Sequence, residues 1–104
     1  MFARPEGAAG LDADGRPAAA YYGCGWMVRP WGRLGQAHTW HDGSVAGSSA
    51  LLVRGYDGTN WAVLFDARSG PDGRPLPAAI DRTLHRTAAL VAQWPETDEF
   101  ARYP

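Results

Sequence analysis

The sequence predicts an α+β fold: an antiparallel sheet of about four strands with a carboxyl-terminal amphipathic helix packed on one face. Three observations carry that expectation. Short apolar runs lie between Tyr21 and Asp66, the first of them, Tyr22 to Val28, alternating with a period of two. An Asp57-Gly58 pair sits between two of those runs, where a hairpin turn is expected. From Ile80 onward the apolar residues recur at helical spacing instead. A chain of 104 residues has room for one domain with one sheet and a helix or two.

Residues 1–20 are rich in Gly, Ala, Pro and Asp, show no period and are expected to form a flexible arm. The domain proper is expected over residues 21–95. In its first run Tyr22, Cys24, Trp26 and Val28 share one side of an alternation, which predicts a strand ending at Pro30, with Cys24 a small buried side chain. A Gly-containing turn at Trp31–Gly35 leads to a short strand over Ala37–His41, followed by a turn-rich stretch, Asp42–Gly47. Ser49–Arg54 and Trp61–Asp66 are the third and fourth strands, joined by the Asp-Gly hairpin. Residues 67–77 contain three Pro and two Gly and are read as irregular. Then Ile80, Leu84, Thr87, Ala88, Val91 and Trp94 form one helical stripe, with Arg82, His85, Arg86 and Gln93 opposite. Pro77 suits the first turn of this helix and Pro95 its end. The tail, 96–104, is polar, with Phe100 and Tyr103 as candidate anchors onto the body. No internal repeat is read.

Leu51-Leu52-Val53 and Trp61-Ala62-Val63-Leu64-Phe65 are apolar on both faces of their strands, a pattern that belongs to strands covered on both sides. One helix covers one face. The other is expected to find its cover outside the chain, because an open apolar face is larger than most monomers tolerate.

Composition excludes some functions. Net charge is −1, and all ten basic residues are Arg, scattered without a stripe, so neither nucleic acid nor an anionic membrane is an expected partner. No apolar run reaches transmembrane length, and Met1–Gly7 has no signal-peptide core, so the sequence assigns no compartment. Cys24 is the single cysteine, which excludes an intrachain disulfide. His38 and His41 lie three apart on a predicted strand and point to opposite faces, so no metal site and no cofactor are expected. Ser44 and Ser48 lie near His41, but nothing marks an orienting acid or a sharp turn presenting a hydroxyl, and they read as turn serines. Trp26, Trp61 and Trp94 occupy expected core positions; Trp31 and Trp40 lie nearer loops.

Tyr22-Gly23-Cys24-Gly25-Trp26 resembles the Tyr-Gly-x-Gly-Trp strand late in class C β-lactamases, DD-peptidases and related esterases. His41-Asp42-Gly43-Ser44 stands where that family has its Lys/His-Thr/Ser-Gly element. Val45 to Val53, the Asp-Gly hairpin, the Trp61–Phe65 strand and a closing helix continue the likeness in order, over roughly Tyr21 to Trp94.

The resemblance implies the carboxyl-terminal part of a serine β-lactamase or penicillin-binding-protein-like hydrolase. Such enzymes acylate a serine in a Ser-x-x-Lys motif, and the Lys/His-Thr/Ser-Gly strand forms one wall of the cleft, its backbone helping to hold the oxyanion. His41, Asp42, Gly43 and Ser44 are the cleft-wall residues it implies here. Asp42 departs from the pattern by placing a carboxylate where a hydroxyl is usual, which disfavours anionic β-lactam substrates and leaves esters and amides open. The chain has no Lys, hence no Ser-x-x-Lys, and no Tyr-x-Asn. The expectation is a segment without activity of its own, whose partner is the amino-terminal part of such a hydrolase or a second copy of itself. The alternative is a free-standing interaction or homodimerisation module; a third reading is a small hydrolase using Ser44 or Ser48. The family is often periplasmic or secreted.

Overall fold

The computed structural model describes residues 2–33, 35–97 and 102–103. The order of elements is β1 (Tyr21–Gly23), β2 (Trp26–Pro30), β3 (Ala37–Val45), β4 (Ser48–Arg54), β5 (Asn60–Phe65) and α1 (Leu76–Leu90). Among the described residues the strands form one antiparallel sheet in the order β1-β2-β3-β4-β5, so the fold is α+β with five strands rather than four.

The extra strand comes from the run read as continuous between Tyr21 and Pro30. It folds back at Cys24-Gly25, with Gly23 opposite Trp26 and Tyr21 opposite Val28. Cys24 and Gly25 take φ of 50° and 86°, the two positive values of a type I′ turn, whose twist matches a β-hairpin. Cys24 is therefore an exposed turn residue, not a buried strand residue. Period-two alternation continues across a tight two-residue turn, so the pattern by itself could not separate one strand from two.

The second strand is longer than its sequence suggests. β3 continues through Asp42, Gly43 and Ser44 to Val45, paired throughout with β4, and turns only at Ala46-Gly47. At its far end the backbone groups that face β4 are satisfied by cross-strand bonding, and the polar residues there are exposed.

Three five-residue loops share one construction. Asp12–Arg16, Gly55–Thr59 and Gly70–Arg74 each bond the first N–H to the fifth carbonyl, at 2.8, 2.7 and 2.9 Å, and the fourth N–H to the first carbonyl. The fourth residue is a glycine at positive φ in each: Gly15, Gly58 and Gly73. They close the pairs Leu11–Pro17, Arg54–Asn60 and Ser69–Pro75. An aspartate side chain in each loop accepts a backbone N–H within it. Asp-Gly-Arg-Pro occurs twice, at 14–17 and 72–75, a short repeat that the sequence reading passed over.

The helix packs on the face carrying Leu51 and Val53, which are 3% and 1% exposed. Leu76, Pro77, Ile80, Asp81, Leu84, His85 and Ala88 are its buried or half-buried positions. His85 thus belongs to the sheet side, not the solvent side. α1 ends at Leu90, with Val91 already extended, so Val91 and Trp94 leave the stripe; Trp94 is 50% exposed rather than a core side chain. Pro95 bars Trp94 from helical conformation, and a β-branched Val91 adds little to hold a further turn.

The opposite face divides in two. Tyr21, Val28 and Thr39 are buried there beneath the amino-terminal segment. The Tyr21 hydroxyl donates to the Phe2 carbonyl at 2.7 Å, the Arg4 guanidinium lies 4.4 Å from the Tyr21 ring centroid, and Arg54 lies over Phe2. The chain therefore supplies part of the second cover itself. Leu52 and Leu64, 44% and 83% exposed, mark the half left open. In the tail, Phe100 lies outside the described residues, and Tyr103 is exposed and anchors nothing to the core. No described helix is long and apolar enough to cross a membrane.

Candidate functional site

Strand alternation splits the four residues singled out by sequence. His41 and Gly43 line a shallow trough on the open half of the second face, with Trp26, Ala50, Leu52, Ala62 and Leu64. The small side chains at Gly43, Ala50 and Ala62 form its floor. Asp42 lines a different cleft, between sheet and helix, with Arg29, His38, Trp40, Asp81 and His85. Ser44 is on the same side as Asp42, and its hydroxyl accepts the Nε–H of Arg68 at 2.9 Å. The Asp42 carboxylate is thus on the far face of the strand from His41.

His41 is exposed, its Nε2 3.2 Å from the Tyr22 hydroxyl and its ring edge-on to the Tyr22 ring at 6.1 Å. The contact links the Tyr-Gly-Cys-Gly-Trp hairpin to the His-Asp-Gly-Ser segment, two stretches nineteen residues apart in sequence. Cys24 and Gly25, at the hairpin tip, line the trough beside His41.

Register gives this segment a further property. β2 pairs with β3 only from Ala37 to Trp40, whereas β4 pairs with β3 from Thr39 to Val45. From His41 to Val45, β3 therefore has, among the described residues, a strand neighbour on one side and a free backbone edge on the other. Unused donors and acceptors on such an edge can take up an extended ligand or another strand.

The buried serine is Ser49, whose hydroxyl donates to the Ala67 carbonyl at 2.7 Å and so fixes the chain leaving β5. Ser44 is engaged by Arg68 and Ser48 lies at the β3–β4 turn, so neither is paired with His41 in a nucleophile–base arrangement. Among the described residues no group of three or more His, Cys, Asp or Glu side chains is placed to hold a metal ion.

A cluster that sequence reasoning did not assemble lies at the other end of the sheet. His38 sits edge-on to Trp31 (5.2 Å), Tyr56 (5.0 Å) and His85 (5.2 Å), and His85 is edge-on to Trp61 at 4.7 Å. Trp31 stacks on Tyr56 at 6.0 Å. Burial, then the neighbouring His85 and Arg29, holds the His38 imidazole below its ordinary pKa; Asp57 and Asp81 oppose the shift. The five residues come from β3, α1, β5 and two loops, a convergence with no local sequence signal.

Comparison of the chain with protein-family models, with curated proteins and with solved structures gave no match.

Proposed function

We propose that this chain is the carboxyl-terminal sheet-and-helix segment of a β-lactamase-related serine hydrolase and supplies the His41–Ser44 wall of an acyl-transfer cleft. The observation that carries this reading is the free backbone edge at His41–Val45, beside the trough that His41 and Gly43 line. A cleft wall of this kind needs an extended strand with backbone groups available to an acyl substrate and an open surface for the catalytic elements. The Tyr22–His41 contact supports it by bringing together the two motifs that carry the family likeness. The nucleophile and its lysine come from residues outside this sequence, which contains no Lys. His41 then contacts substrate or assists proton transfer, and Asp42, directed to the other face, does not oppose an anionic substrate directly.

The test has two parts. The chain alone should give no turnover of nitrocefin or p-nitrophenyl esters. The reading frame that precedes Met1 should encode a Ser-x-x-Lys and a Tyr-x-Asn, and the joined product should be labelled by a fluorophosphonate or a fluorescent penicillin. Turnover by the chain alone, abolished by Ser44→Ala or Ser48→Ala, would overturn the proposal in favour of a small hydrolase.

A second reading, a self-associating module, is favoured by β5. It is an outer strand of the sheet with the apolar sequence Asn60-Trp61-Ala62-Val63-Leu64-Phe65 and no charge, Pro or bulge to blunt it.

A further inference from the structure

The geometry points to a pH-sensitive latch on α1, in which the His38 imidazole, facing His85, holds the helix to the sheet while neutral and releases it once protonated. The inference stands independently of the hydrolase reading.

Its first support is the hydrogen-bond state of His38. Among the described residues, Nδ1 of this ring is buried without a hydrogen-bond partner, and so is the Nε1 of Trp61 across the same cluster. A neutral imidazole carries one N–H and can leave its other nitrogen as an unused acceptor; an imidazolium carries two N–H groups that both need acceptors. Protonation therefore places a charge and a second donor at a buried nitrogen that has no hydrogen-bond partner among the described residues, a costly combination.

The second support is what surrounds the ring. On the helix, His85 meets His38 at 5.2 Å between centroids and acts against a positive charge on the His38 ring. Asp81 lies 3.5 Å from His85 on the same helix, and its carboxylate opposes the latch by raising the His38 pKa. From β2, Arg29 adds positive charge, and from the loop after β4, Asp57 adds negative charge. Asp42, on β3, lines the same cleft of about 240 Å³ between helix and sheet. Trp31 and Tyr56 meet His38, and Trp61 meets His85, in T-shaped contacts that bring no charge. Burial outweighs the carboxylates, because the His38 pKa lies below its ordinary 6.5.

The direction of the pH effect follows. The docked state binds fewer protons at His38 than the undocked state, so docking is fully favoured above the ordinary value of 6.5 and weakens as pH falls through it, levelling off below the depressed docked-state value. Each unit of difference between the two values weakens docking roughly tenfold. Release opens the cleft and uncovers Leu51 and Val53.

Amide hydrogen exchange read by NMR on the whole chain tests the latch. Protection factors of α1 amides from Ile80 to Leu90, relative to those of Leu51–Val53 in β4, should fall several-fold between about pH 7.5 and about pH 5. The fall should be lost in His38→Phe and reduced in His85→Gln. A ratio that stays flat in the native chain, or a fall that persists unchanged in both variants, would overturn it. Should His38→Phe fail to fold, the native chain still decides through its imidazole Cε1 signals. The α1 shifts should change with the His38 midpoint, and a midpoint in the carboxylate range, about 4, would assign the transition to Asp81 or Asp57 and overturn the latch.

Discussion

The hydroxyl of Tyr22 lies 3.2 Å from Nε2 of His41, while that of the adjacent Tyr21 donates to the Phe2 carbonyl at 2.7 Å on a buried face. Two neighbouring tyrosines thus do different work: one contacts His41, which lines the open trough, and the other pins the amino-terminal segment over half of the second sheet face. Tyr21→Phe should cost about 1 kcal/mol and raise exchange of amides near Phe2, because it leaves a carbonyl without its donor. Tyr22→Phe should cost about 0.5 kcal/mol or less, since water replaces the lost partner at an exposed site. Urea unfolding of both variants checks the contrast.

Cys24 adopts φ of 50° without being glycine, at the first central position of a type I′ turn. Cys24→Asn should stabilise the fold by about 0.5–1 kcal/mol, because Asn tolerates this conformation better and Asn-Gly suits the turn. Gly58→Ala should do the reverse, costing about 1–2 kcal/mol for a side chain forced into left-handed backbone. Chemical denaturation midpoints decide both signs.

Leu84 is half-buried against the sheet and Arg82 is exposed. Leu84→Ala should cost about 1–2 kcal/mol, below the roughly 2–5 kcal/mol of a fully enclosed Leu, and Arg82→Ala little. Equal small losses in thermal unfolding would mean that the helix contributes no packing at this level.

Leu64 is 83% exposed on the outer strand β5. If that edge and face mediate self-association, sedimentation velocity at micromolar concentration should show a dimer or larger species that Leu64→Lys disperses without loss of fold, a charged side chain being an effective edge guard. A compact monomer before and after substitution would remove the self-association reading.

The sequence by itself determined the α+β class, the hairpin at Asp57-Gly58, the last two strands to within a residue or so, and the helix stripe at Ile80, Leu84 and Ala88. Each is written locally, by a turn dipeptide or a periodicity. Tertiary structure alone decided what depends on pairing and on neighbours distant in the chain. The Tyr21–Pro30 run became a hairpin, since alternation reads the same through a two-residue turn. β3 extended to Val45 because β4 offered it a partner from Thr39 to Val45. His85 turned inward to meet His38 and Trp61, and the amino-terminal segment covered Tyr21, Val28 and Thr39. Alternation along a strand sent His41 and Asp42 to opposite faces, but only the sheet's partners made one face a trough and the other a helix-covered cleft. A sequence states which side chains share a strand face; packing energy, summed over contacts distant in the chain, decides what that face meets.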